Sequence, residues 1–163
     1  MTDEFAGVRY SIVLPVFNEA AVLPVLLRRL EMLMGQLDGP AETIFVDDGS
    51  SDCSSIVLQS LARSDSRYRY IGLSRNFGHQ VAITAGMDAA AGEAIVVMDA
   101  DLQDPPEIVA EMIAKWKEGF EVVYGRRLSR AGESAFKQRQ TCSTSCSGEC
   151  PRSSFRRMLA TSG

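Results

Sequence analysis

Short apolar runs alternate along the chain with longer stretches whose apolar positions return every three or four residues. Tyr10–Val16 (YSIVLPV), Thr43–Val46 (TIFV), Tyr68–Leu73, Ala94–Met98 (AIVVM) and Glu121–Tyr124 read as strands. Between the first two, Glu19–Leu37 carries leucine at 23, 26, 27, 30, 33 and 37, a helical spacing, with Asn18 placed as N-cap. Pro24 falls in the first turns of that helix and moves its true start downstream. Asp38-Gly39-Pro40 closes it. Asp52 or Ser54 can cap a second helix running to about Ser64. An Ala- and Gly-rich stretch, Phe77–Ala91, is the third helix. Pro105-Pro106 suits the opening of a fourth, which Gly119 stops after Glu118.

Five strands alternating with four helices predict an α/β fold, with a mostly parallel sheet and helices on both faces. The near-continuous apolarity of the strands agrees, since such strands are covered on both sides. Right-handed crossovers bring every strand's C-terminal end to one edge, where ligands of such sheets bind. The unusual residues follow strand ends: Asn18-Glu19, Asp47-Asp48, Arg75-Asn76, Asp99 with Asp101, and Gly125-Arg126.

The chain has 163 residues with 45% hydrophobic and 23% charged, ordinary globular proportions that exclude a collagen-like or mainly disordered chain. The length suits one folded unit. No apolar run of about 18 residues is present, and the acidic N-terminus lacks a secretory pattern, so a cytoplasmic location is expected, extending to peripheral attachment at the inner membrane face. Charge is unevenly spread. Residues 1–125 carry 9 basic and 19 acidic side chains, whereas residues 126–163 carry 8 basic and 2 acidic. That asymmetry divides the chain into a folded unit over 1–136 and a basic, Ser- and Cys-rich tail over 137–163, expected to be disordered or non-native. Cys142, Cys146 and Cys150 would share a helix face, but without a second pair of ligands they read as incidental thiols rather than a zinc site.

The two acidic pairs, Asp47-Asp48 and Asp99-x-Asp101, should converge on the ligand edge of the sheet. Carboxylates brought together repel unless a cation neutralises them, and hard oxygen donors suit Mg²⁺ or Mn²⁺ bound with substrate phosphates. No Walker pattern and no GxGxxG after the first strand is present. No nucleic-acid partner is expected. His79 reads as a capping or packing residue, Trp116 as helix-face packing, and Ala82, Ala85, Gly86 and Ala89 as small residues allowing close approach of helix to sheet. Arg75 fits either a phosphate contact or a surface ion pair.

These segments carry a resemblance: Leu14-Pro15-Val16-Phe17-Asn18-Glu19, Val46 to Asp52 (VDDGSSD), Ser74 to Gln80 (SRNFGHQ), Met98 to Pro106 (MDADLQDPP) and Val123-Tyr124-Gly125-Arg126-Arg127. Together, over about residues 9–132, they resemble family 2 glycosyltransferases of GT-A fold. More narrowly, they resemble the dolichol-phosphate mannose synthase type and its bacterial undecaprenyl-phosphate relatives. The resemblance implies inverting transfer of a hexose from a UDP- or GDP-sugar to a polyprenyl phosphate at the membrane. It implies that Pro15, Asn18, Glu19, Asp47, Asp48 and Asp99 line the nucleotide pocket. It implies that Asp99, Asp101 and Gln103 hold Mg²⁺ or Mn²⁺, with Asp101 the main ligand, and that Arg126, Arg127 and Arg130 meet the phosphates. A lipid phosphate is already ionised at pH 7 and needs no general base, so Asp104 is not assigned that task; a sugar hydroxyl acceptor would need one. The likeness stops near Phe136, and the abrupt change beyond it reads as truncation or a shifted reading frame. Two further readings follow: a nucleotide-binding remnant without turnover, and a transferase acting on a sugar hydroxyl in cell-surface polysaccharide synthesis.

Overall fold

The computed structural model describes residues 7–101, 107–125, 141–144 and 157–161. Its elements, in chain order, are β1 (Tyr10–Val16), α1 (Leu23–Gln36), β2 (Ala41–Asp47), α2 (Ser54–Ser64), β3 (Tyr68–Gly72) and α3 (His79–Ala89). They continue with β4 (Ala94–Val97), α4 (Glu107–Lys117), β5 (Val122–Gly125), β6 (Thr141–Thr144) and β7 (Arg157–Thr161). The five expected strands and four expected helices are all present. One sheet in the order β3-β2-β1-β4-β7-β5-β6 contains every strand, parallel throughout except for the antiparallel β5–β6 pair.

The two extra strands come from the segment that composition sets apart as a tail. β7 lies between β4 and β5, with Ala94 opposite Arg157 and Val122 opposite Met158. Strand order reverses at β1, which pairs with β2 on one side and β4 on the other. The connections leaving β1 and β4 therefore part at this point and leave a crevice beyond the strand ends.

Side chains of β1 alternate between two cores, as the two-residue strand period requires. Ile12, Leu14 and Val16 join Leu26, Leu30, Phe45, Leu58, Val109 and Met112 under α1, α2 and α4. Val13 points the other way, to Ile44, Val46, Ala82 and Val97 under α3. α3 sits very close to the sheet. A methyl group added at Gly86 would overlap Val13 Cγ1 and lie 3.0 Å from Val46 Cγ2. Trp116 packs edge-on against Tyr10, as expected for a helix-face residue.

Two helix starts have identifiable causes. α1 begins at Leu23, downstream of Glu19 as Pro24 implies, but its N-cap is Val22 and not Asn18, which has φ 57° and spends its side chain elsewhere. α3 begins at His79, not Phe77, because Gly78 has φ 100° and breaks the helical path.

Candidate functional site

Two loops at the strand ends are stitched together before any ligand is considered. After β1, the Asn18 N–H donates to Ser50 Oγ at 2.9 Å, the Glu19 N–H to Ser54 Oγ at 3.0 Å and the Ala20 N–H to Asp52 Oδ2 at 3.0 Å. In return, Asn18 Oδ1 accepts from the Ser51 N–H at 2.8 Å, the Ser51 hydroxyl at 3.2 Å and the Asp52 N–H at 3.3 Å. The short polar side chain of asparagine tolerates the left-handed conformation that this exchange requires. Gly49 is needed for a different reason. At φ 75° its Cα passes so near the chain after β3 that a Cβ would lie 2.5 Å from the Arg75 carbonyl carbon.

The two aspartates after β2 have separate duties. Asp47 is buried, and its oxygens accept from the Ser50 N–H at 2.9 Å and from the Tyr70 hydroxyl at 2.9 Å. It does not line the cleft. Asp48 does, and its two oxygens accept from the N–H groups of Phe77 and Gly78 at 2.7 and 2.9 Å. A carboxylate on two backbone donors makes strong, charge-assisted hydrogen bonds, so the turn leading into α3 is tied to the end of β2.

The cleft itself has a volume of about 400 Å³ and opens at the switch point. Pro15, Val16 and Phe17 form one wall, Asn76, Gly78, His79 and Ala82 another, and Asp99, Ala100 and Asp101 a third, with Glu19 and Asp48 between them. The structure thus brings together Pro15, Glu19, Asp48, Asp99 and Asp101 from three strand ends. Asn18 and Asp47 stand behind the cleft as loop-fixing residues. Gln103, Arg126 and Arg127 lie outside the described residues, as do Asp104 and Arg130.

Carboxylate crowding shows in the electrostatics of Glu19. Burial and then the charges of Asp101 and Asp52 push the Glu19 carboxyl above its usual range. His79 Nε2 stands 3.4 Å from Asp99 Oδ1. Sequence reasoning set His79 aside as a cap or packing residue, yet it is half exposed and faces the cleft. A signal was available: this is the single histidine of the chain, immediately after a glycine at a helix start on the ligand edge. Among the described residues no group of three histidine, cysteine, aspartate or glutamate side chains is arranged to hold a metal by itself. The donors that are present, two carboxylates spaced by one residue in an open acidic cleft, are of the hard oxygen type that divalent cations take together with substrate oxygens and water.

Comparison with known proteins gives this geometry a family. The family model of glycosyl transferase family 2 matches residues 11–162. The chain is 55% identical over 131 residues to the glycosyltransferase YkcC of Bacillus subtilis, a match covering 80% of this chain and 41% of that one. It is 43% identical over 129 residues to the undecaprenyl-phosphate 4-deoxy-4-formamido-L-arabinose transferase of Pseudomonas syringae, covering 78% and 38%. It is 34% identical over 131 residues to the bactoprenol glucosyl transferase of Shigella phage SfV, covering 80% and 43%. The chain spans about two-fifths of the length of these relatives. Among solved structures, S. aureus TarS 1-349 in complex with UDP-GlcNAc superimposes with a TM-score of 0.59 at 21% identity, covering 80% of this chain and 38% of that one. The mannosyltransferase PcManGT from Pyrobaculum calidifontis, in complex with GDP-Man and Mn²⁺, gives 0.54 at 22%, covering 64% and 31%. At such identities these neighbours speak for the fold, which is GT-A. With strand order, crevice and family match in agreement, the chain belongs to glycosyl transferase family 2.

Proposed function

We propose that this chain is the donor-binding part of an enzyme that transfers a hexose, with inversion, from a UDP- or GDP-sugar to a polyprenyl phosphate. The observation that carries this reading is the convergence of Glu19, Asp48, Asp99 and Asp101 on one crevice at the switch point. Two relatives named for undecaprenyl or bactoprenol substrates support the acceptor class. Neighbours of the same fold bind UDP-GlcNAc, and GDP-Man with Mn²⁺, which supports a nucleotide-sugar donor.

In this reading Asp99 and Asp101, joined by Gln103, hold Mg²⁺ or Mn²⁺, and Pro15 and Glu19 border the nucleoside. A bound divalent cation would supply charge neutralisation at the diphosphate leaving group. Arg126 and Arg127 follow β5 in sequence and supply guanidinium groups to the same phosphates, with geometry suited to paired oxygens. Asn18, Asp47 and Asp48 contribute by holding the loops in which the ligand-facing groups sit. The acceptor is an anion already, so the protein's share of the work is to position it against the anomeric carbon and to stabilise the departing charge.

A second reading is a chain that binds nucleotide without turning over. Calorimetric titration with UDP and with GDP, each with and without Mn²⁺, tests the donor site shared by both readings. Metal-dependent binding of one nucleotide, lost in Asp101→Ala, is expected. Failure of both nucleotides to bind a folded chain would sink both readings. Transfer of labelled hexose to undecaprenyl phosphate then separates enzyme from remnant.

A further inference from the structure

We infer that His79 is a positioning residue for Asp99, and that Asp48 acts with it by fixing the turn from which His79 projects. The inference rests on the proposed cation site and adds to it the support that aims the aspartate. Three observations carry it. His79 is the first residue of α3 and lines the cleft opposite the β4 end, with Nε2 3.4 Å from Asp99 Oδ1. The two residues before it are held by both oxygens of the buried Asp48, through the N–H groups of Phe77 and Gly78. α3 is packed closely on the sheet, with its Gly86 against Val13 and Val46.

Each link fixes the next. Asp48 leaves β2 in a rigid ladder, since its own N–H donates to the Val16 carbonyl at 2.8 Å. Its carboxylate sets the Phe77–Gly78 turn, and Gly78 at φ 100° turns the chain so that the following side chain crosses toward β4. There the imidazole Nε2 faces one oxygen of Asp99 at 3.4 Å. A carboxylate next to solvent samples several rotamers, and a donor on one oxygen restricts them. Asp99 is three-quarters buried at this point, so the contact is partly shielded from water. Asp48 then serves the donor site through backbone placement as well as by lining the cleft.

The test is Mn²⁺ affinity, read by electron paramagnetic resonance of free Mn²⁺ in the presence of saturating UDP or GDP, beside calorimetry of the same nucleotide without metal. In His79→Ala, Mn²⁺ affinity is expected to fall by about 10-fold or more, the size typical of lost outer-shell partners, and by clearly more than metal-free nucleotide affinity falls. His79→Gln, which retains a side-chain N–H, is expected to recover part of the loss. Asp48→Asn should follow His79→Ala, because its amide NH₂ would face a backbone N–H. Wild-type Mn²⁺ affinity in His79→Ala would overturn the inference and leave the proposed cation site standing. An equal loss of metal-free nucleotide binding in His79→Ala would also overturn it, by showing general damage to the cleft. A wild-type chain that binds nucleotide with no Mn²⁺ dependence would overturn the cation site and this inference together.

Discussion

Single residues at the ligand edge divide into those that build loops and those that face the cleft. Gly49 belongs to the first kind, and its position leaves no room for substitution. Gly49→Ala would force a left-handed φ of 75° on an L side chain and press a Cβ to within 2.5 Å of the Arg75 backbone. The conformational cost alone is about 1–2 kcal/mol. Since the obstacle is backbone, the loop after β3 must move. A lower urea midpoint and a weaker nucleotide affinity are both expected; an unchanged midpoint would show that the 48–50 turn adapts without strain. Glu19 belongs to the second kind. Its carboxyl is raised by burial first and by the neighbouring charges of Asp101 and Asp52 second. A raised acid favours the folded state below its ordinary value of 4.5, and that contribution is lost as pH rises through the folded pKa. Divalent cation held by Asp101 should cancel part of the repulsion. An NMR titration of Glu19 is therefore expected to show its pKa falling on addition of Mg²⁺, with a residual elevation from burial. No change with Mg²⁺ would remove the cation from the neighbourhood of Asp101.

Elements were legible where periodicity and punctuation agreed. All five expected strands and all four expected helices appear, because leucine spacing in α1 and unbroken apolar runs in β1 and β4 admit few alternatives. Boundaries failed where a side chain left its local role for a distant partner. Asn18 looks like an N-cap in sequence, yet it bridges to residues 51 and 52, a contact across 33 and 34 positions that no local pattern encodes. The doubled aspartates were likewise read as one motif, while the fold gives Asp47 to Ser50 and Tyr70 and gives Asp48 to the α3 turn. The acidic pair of Asp99 and Asp101 was legible because strand-end position alone places it.

At the opposite edge a polar latch ties three elements together. Asp38, after α1, accepts from the Tyr10 hydroxyl of β1 at 2.7 Å and from Lys117 of α4 at 2.7 Å, with Arg9 at 3.2 Å. Hydrogen bonds from Lys117 and Tyr10 hold the Asp38 carboxyl down at about 2, while burial, followed by the bond to Asp38, pushes Tyr10 up to about 12. Asp38 thus contributes stability that is present above its ordinary 3.8 and is lost as pH falls through about 2. Tyr10 contributes stability that is present below 10.0 and is lost as pH rises through about 12. In Asp38→Asn the acid loss between 3.8 and 2 should shrink, and Tyr10 should titrate lower while staying above 10.0, since burial remains its leading cause. Thermal unfolding against pH and absorbance titration of tyrosine measure the two. A Tyr10 pKa unmoved by the substitution would show that the latch is not formed in solution.

For the molecule as a whole, composition and topology disagree about residues 137–163, and the disagreement can be measured. Composition puts a charge reversal and a Ser- and Cys-rich stretch there, a pattern that buries too little apolar surface to order a chain unaided. Topology places β7 in the interior of the sheet, hydrogen-bonded to β4 on one side and β5 on the other. The family match extends to residue 162 and so includes that strand. An interior strand recruits order from its neighbours. Its amides pair with strands already fixed by α4 and by β1, so poor local composition matters less there than it would in an isolated segment. It also has a consequence for the site. β4 leads into Met98-Asp99, and β7 is its partner on the side away from β1, so a sheet without β7 would leave the strand that precedes both cleft aspartates supported from one side only. Amide hydrogen exchange on the intact chain decides the matter. If β7 is an integral strand, amides within Arg157–Thr161 should exchange as slowly as those of Ala94–Val97, and Leu159→Pro, which deletes one donor in the middle of the ladder, should accelerate exchange in both strands and weaken nucleotide binding. Exchange at the unprotected rate across Arg157–Thr161, with Ala94–Val97 still protected, would return this segment to the tail that composition describes and leave β4 as the working edge of a smaller sheet.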